Sequence, residues 1–200
     1  MKTLPVIITA IAALCLAVPA SAQFGQKPQQ SRSQLALEKA EAHKTAADIA
    51  FAAAEAGCTA GKMQDCYALG ESYRRGEGVM QSYKLAAKHY ETACDGNNAN
   101  GCAGLAYLST HARGVPKDLP KSRRLFEKSC ELGLVSGCAG YGNMLYTGTG
   151  GRKDVDRGTV HLRSACDADY MWACDRLEAL GARDPGNSAY DRLKDARERF

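Results

Sequence analysis

Cys66-Tyr67-Ala68-Leu69-Gly70-Glu71-Ser72-Tyr73-Arg74-Arg75-Gly76-Glu77-Gly78-Val79 decides the architecture. The apolar residues of its first half fall three and four apart, the spacing of one helical face. Arg75-Gly76-Glu77-Gly78-Val79 ends the helix, because glycine frees the backbone for turns. Tyr83 to Cys94 reads as a second helix with Ala86, Ala87, Tyr90 and Ala93 turned inward. Asp95-Gly96-Asn97-Asn98 then turns the chain into a new pair.

The cysteines act as a ruler for the rest. Eight of the nine stand at 58, 66, 94, 102, 130, 138, 166 and 174, so each pair is 8 apart and the pattern restarts every 36 residues. A fixed period of this length marks a stacked repeat array. Small residues recur at Ala86, Ser122 and Gly158, and large apolar ones at Tyr90, Phe126 and Leu162. Small side chains allow close helix approach, and the large ones are expected to fill the gap beside them. Gly78, Gly114 and Gly150 recur in the loop, and Gly70, Ala106 and Gly142 recur in the first helices. The fold class expected is all-α, a solenoid of helix-turn-helix repeats.

Outward from the array, Met1-Lys2 followed by an apolar Val6 to Val18 and by Ala20-Ser21-Ala22 reads as a signal peptide over 1–22. Cys15 leaves with it, so eight cysteines remain in an exported chain. Residues 23–34 are polar and low in complexity and read as a flexible linker. Ala-rich residues 35–57 read as an N-terminal capping helix, residues 58–181 as the array, and residues 182–200 as a C-terminal capping helix. The 200 residues carry a net charge of +4, with 26 basic against 22 acidic side chains and no basic block. Nucleic acid is therefore a poor partner. The only long apolar run is the leader, so the body is expected not to span a membrane.

The run from Cys66 to Val79, with Lys84-Leu85-Ala86 and Tyr90-Glu91-Thr92-Ala93-Cys94, resembles a Sel1-like repeat, and the paired cysteines make the chain similar to the cysteine-rich Sel1-like proteins, including the Helicobacter cysteine-rich family. The likeness spans residues 58 to 174. It fades in the fourth unit, where Glu178 replaces the small residue and Arg183-Asp184-Pro185-Gly186 replaces the glycine loop. The resemblance implies a right-handed α/α superhelix whose first helices line a concave face.

A cysteine closing one helix and another opening the next meet across a hairpin, and the repeat makes all pairs alike. The expected bridges are Cys58–Cys66, Cys94–Cys102, Cys130–Cys138 and Cys166–Cys174, each closing a loop of about nine residues and contributing roughly 2.5 kcal/mol in the chain-entropy estimate. A spacing of 8 is not a zinc-knuckle spacing, and the four histidines show no matching period with the cysteines. No metal, no cofactor and no catalytic residue is assigned.

Two functions stand side by side. The first is an adaptor that binds a protein or peptide of the cell envelope, in the periplasm or secreted, on the concave face. Its expected contact residues are Tyr67, Glu71, Arg74 and Arg75, then Tyr107 and His111, then Asn143 and Tyr146. Tyr and Arg favour interfaces because each joins apolar area to a directed polar group. The second is implied by the resemblance: a penicillin-binding protein with weak β-lactamase activity. The chain holds no Ser-x-x-Lys, Lys-Thr-Gly or Gly-x-Ser-x-Gly. Trp172 is expected to be core to the cap, and His89 and His161 to share a packing or surface register.

Overall fold

The computed structural model describes residues 32–182, with side chains for Gln34 and for 46–182. The expected signal peptide, most of the linker and the segment 183–200 lie outside the described residues. By compactness the chain divides into Met1–Glu38 and Lys39–Phe200. Only Arg32–Glu38 of the first unit is described, as helix; all that follows concerns the second.

Eight helices are described: α1 (Arg32–Thr59), α2 (Met63–Arg75), α3 (Tyr83–Asp95), α4 (Ala99–Thr110), α5 (Leu119–Glu131), α6 (Val135–Thr147), α7 (Val155–Asp167) and α8 (Met171–Ala179). The first of them starts inside the stretch expected as a linker. There is no strand among the described residues. From α2 onward each helix packs on the next, and α4 also touches α2 and α6. That is a two-row α/α solenoid, with first helices in one row and second helices in the other. No helix among the described residues is long and apolar enough to cross a membrane.

The period appears in the backbone as well. Ser82, Asp118 and Asp154 stand 36 apart and cap α3, α5 and α7, each accepting from the N–H three residues on, at Leu85, Lys121 and Arg157. Such caps satisfy an orphan helix donor. Gly61, Asn97, Gly133 and Asp169, also 36 apart, all have positive φ and turn each cysteine hairpin. All four expected bridges are formed, with Cα–Cα distances of 4.5, 4.5, 4.3 and 4.8 Å in chain order.

The loop glycines do more than turn the chain. Gly78 packs against the backbone of Ala47 and Asp48, Gly114 against Tyr83 and Lys84, and Gly150 against Leu119. Ala47, Tyr83 and Leu119 stand one period apart. The latter half of α1 therefore occupies the place of a second helix, and each loop docks on the second helix of the unit before it.

In the core, Ala86 and Ser122 have no exposure and Gly158 is buried. The Ser122 hydroxyl lies 2.8 Å from the Ala106 carbonyl and 2.6 Å from Thr110 Oγ1, so its burial leaves no orphan. Tyr90 sits fully buried between Gly70 and Gly104, which give its ring a slot on either side. Leu162 is fully buried too. Phe126, at the same register, corrects the expectation: it is only partly buried, lying across Gly140. Its unit has Ala106 where the others have Gly70 and Gly142, so the slot there starts a methyl group narrower. Trp172 is a second correction, being 44% exposed rather than core.

Candidate functional site

The first-helix row carries a continuous recess. Its upper part, about 300 Å³, is lined by Tyr67, Glu71, Arg74, Tyr90 and Tyr107 among others. Its larger part, about 560 Å³, runs on through Tyr107, His111, Phe126, Asn143, Met144, Tyr170 and Trp172. The two share Ala103, Tyr107 and Ser136. Six of the eight expected contact residues thus line one groove: Tyr67, Glu71, Arg74, Tyr107, His111 and Asn143. Arg75 is exposed outside it and pairs with Glu71 and Glu77. Tyr146 also lies outside, with its hydroxyl donating to the Leu180 carbonyl at 3.1 Å.

Specific contacts hold several of the lining residues in place. At one end, Tyr67 stacks on Tyr90, centroids 5.8 Å apart. The Tyr90 hydroxyl emerges from the core and donates to Glu71, as a buried tyrosine needs a partner for its O–H. Glu71 also accepts from Arg74 Nε at 3.0 Å and Nη2 at 2.7 Å, a two-point grip, and pairs with Arg75 at 3.0 Å. In the middle, Tyr107 lies 4.5 Å from the His111 ring and 5.7 Å from the Arg113 guanidinium, which hold it upright. At the far end, Arg176 donates to Asn143 Oδ1 at 2.6 Å, and Tyr170 and Trp172 meet at 6.2 Å.

The Glu71 cluster has an electrostatic signature. Burial alone pushes its carboxyl pKa up, but hydrogen bonds from Arg74 and Tyr90 and the charges of Arg74 and Arg75 outweigh it and hold the pKa below the ordinary value. A carboxylate depressed in the folded state contributes stability present above its unfolded pKa, about 4.3. That contribution is lost as pH falls through the lower folded value. The expected result in unfolding titrations from neutral pH to strong acid is a wild-type curve that drops across this window. Glu71→Gln should start lower at neutral pH and be flatter there. Parallel curves would mean that the cluster carries no coupling.

Elsewhere, His89 and His161 both have pKa values lowered, first by burial and then by neighbouring Lys88 and Arg157 respectively. They pack as expected of a shared register, but on different partners: His89 stacks flat on Tyr73, and His161 meets Tyr141 edge-on. Asp154 caps α7 and Asp156 lies in its first turn, as helix-start electrostatics favours. The Thr110 hydroxyl lies 2.9 Å from the Ala106 carbonyl, and the Ser129 hydroxyl donates to the Ala99 carbonyl. Arg123, Arg152, Lys153 and Arg157 gather around a polar recess that no run of the sequence announces.

Sel1 repeat models match residues 64–98, 99–134 and 135–170, more than half of the chain. The chain belongs to the Sel1 repeat family. Bridges Cys94–Cys102 and Cys130–Cys138 join adjacent Sel1 repeats, while Cys58–Cys66 and Cys166–Cys174 join the matched repeats to α1 and α8. Among solved structures, a Sel1 repeat protein from Oxalobacter formigenes is 23% identical, with a TM-score of 0.58 over 63% of this chain and 52% of that one. c5321, described as a protective antigen present in uropathogenic Escherichia coli strains displaying an SLR fold, is 22% identical, with a TM-score of 0.59 over 74% and 35%. Helicobacter pylori cysteine rich protein B is 21% identical, with a TM-score of 0.48 over 74% and 98%. The chain thus spans about half the length of the first structure and about a third of the second. No curated protein sequence matches it. Sel1 repeats are protein-interaction modules, and four bridged pairs fit an oxidising, non-cytoplasmic location.

Proposed function

We propose that this Sel1 repeat protein is an exported, non-catalytic adaptor that holds a peptide segment of a protein partner in the groove of its first-helix row. The observation that carries the reading is the aromatic wall of the groove: Tyr107 and Trp172 are 41% and 44% exposed, and Phe126 is turned to the same space. Rigid aromatics that leave area to be covered are the usual anchors of an interface. The segment that fits places an apolar side chain between Tyr107, Phe126 and Trp172 and offers backbone polar groups to Asn143 and His111. The reading of residues 1–22 as a signal peptide supports export, and the partner belongs to the cell envelope.

The test is selection from a random displayed peptide library on the oxidised protein. Enriched peptides are expected to share an apolar anchor, and Trp172→Ala and Tyr107→Ala should each weaken them more than about tenfold. Val160→Ala, on the exposed part of α7, should change nothing. Enriched peptides indifferent to the groove substitutions would refute the site. The hydrolase reading has its own test: saturable nitrocefin turnover by the oxidised protein, absent after heat denaturation, would replace the adaptor reading.

A further inference from the structure

One bridge differs from the other three. Both cysteines of Cys130–Cys138 are partly exposed, whereas every other bridge has at least one buried cysteine. A histidine also faces it: His161 Nδ1 lies 3.9 Å from Cys130 Sγ. Cys130, Cys138 and His161 bring their ligand atoms within 4.8 Å of one another, the only such trio of His, Cys or acidic side chains among the described residues. The three come from α5, α6 and α7.

The contrast with the first unit explains why the trio forms here. His89 occupies the register of His161, and Cys58 that of Cys130. His89 is drawn into a flat stack on Tyr73, 5.4 Å away with the planes 3° apart. One period pair further on, Leu145 stands at the register of Tyr73. With no ring there to stack on, His161 packs against Tyr141 and Cys130 instead.

We propose that Cys130, Cys138 and His161 form a reducible metal site: opened by a dithiol, the bridge becomes two thiolates that, with the imidazole, take a thiophilic divalent cation of the zinc type. The steps balance. One thiolate of the dithiol attacks a bridge sulfur, forming a mixed disulfide and releasing the other cysteine as thiolate. The second thiol of the reductant then closes its own disulfide and frees the remaining cysteine. Two electrons and two protons have passed to the bridge, leaving two thiols. The cation displaces both thiol protons and binds two sulfurs and one nitrogen, with water in the fourth position.

The geometry is near what this needs. Zn–S bonds of about 2.3 Å and Zn–N bonds of about 2.0 Å at tetrahedral angles set an S···N edge of about 3.5 Å. The nitrogen is close to that distance from Cys130 already, and side-chain rotation separates the sulfurs to about 3.8 Å. The ion would replace a two-helix clamp by a three-helix one, so the junction between the second and third repeats stays closed in either redox state.

The experiment begins with limiting dithiothreitol on the oxidised full chain, followed by alkylation and mass mapping. Cys130 and Cys138 are expected to be labelled first. Cobalt(II), used as the probe, is then titrated into the selectively reduced protein. One equivalent should bind with a thiolate-to-cobalt charge-transfer band, and zinc should displace it with helicity retained. His161→Gln should open the same bridge first yet bind cobalt more than about tenfold more weakly, since even outer-shell losses at metal sites cost that much. His89→Gln should match the wild type. Another bridge opening first, no cobalt binding, loss of helicity on opening, or equal affinity in His161→Gln would each overturn the proposal.

Discussion

Gly114→Ala should lower the stability of the oxidised protein by about 3 kcal/mol or more, while Gly133→Ala costs about 1 kcal/mol. Both glycines have left-handed backbone, with φ of 69° and 85°. That conformation costs an L-residue roughly 1–2 kcal/mol. At Gly133 nothing lies within 4 Å of an added Cβ, so strain is the whole effect. At Gly114 the added carbon overlaps the backbone of Tyr83 and Lys84 at the start of α3. Backbone cannot swing aside as a side chain can, and overpacking of this kind costs about 1–3 kcal/mol more. Denaturant titration of the two variants checks the difference. Equal losses would show that the loop does not dock on the preceding helix pair.

Removing the Cys94–Cys102 bridge should do more than lower the midpoint. The bridge closes a loop of about nine residues, so Cys94→Ala with Cys102→Ala forfeits roughly 2.5 kcal/mol. Both cysteines are buried, at 2% and 0% exposure, so the missing sulfurs also leave unfilled space. The loss falls at the joint between the first and second repeats. In a linear array stability is a sum of unit terms and nearest-neighbour terms. Weakening one neighbour term that far is expected to split unfolding into two transitions, seen by calorimetry as two peaks where the wild type has one. A single peak with a loss below about 1 kcal/mol would contradict this.

Much of the fold could be read from the cysteine period alone. The expected second helix, Tyr83 to Cys94, ends one residue short of the observed Tyr83–Asp95, and the bridges follow from what a hairpin brings together. The caps Ser82, Asp118 and Asp154 keep the same period and were readable in principle. A register, however, tells which way a residue points and not what its neighbours leave open. Phe126 and Trp172 keep their expected registers, yet both line the groove: the slot for Phe126 is narrowed by Ala106, and Trp172 is 44% exposed on α8. The closeness of His161 to Cys130 was hidden for a similar reason. It depends on Leu145 standing where Tyr73 stands in the first repeat, a difference between two copies that a search for sameness passes over.

Phe126 gives the middle repeat two masters at a single codon. The ring is part of what ties α5 to α6 through Gly140 and part of what a visiting segment would touch. In the third repeat these duties are divided, since Leu162 is sealed away and lines neither part of the groove. Evolution can retune the third copy for cohesion without disturbing recognition, but any change of taste at the centre is felt at once as a change in how firmly the array holds together.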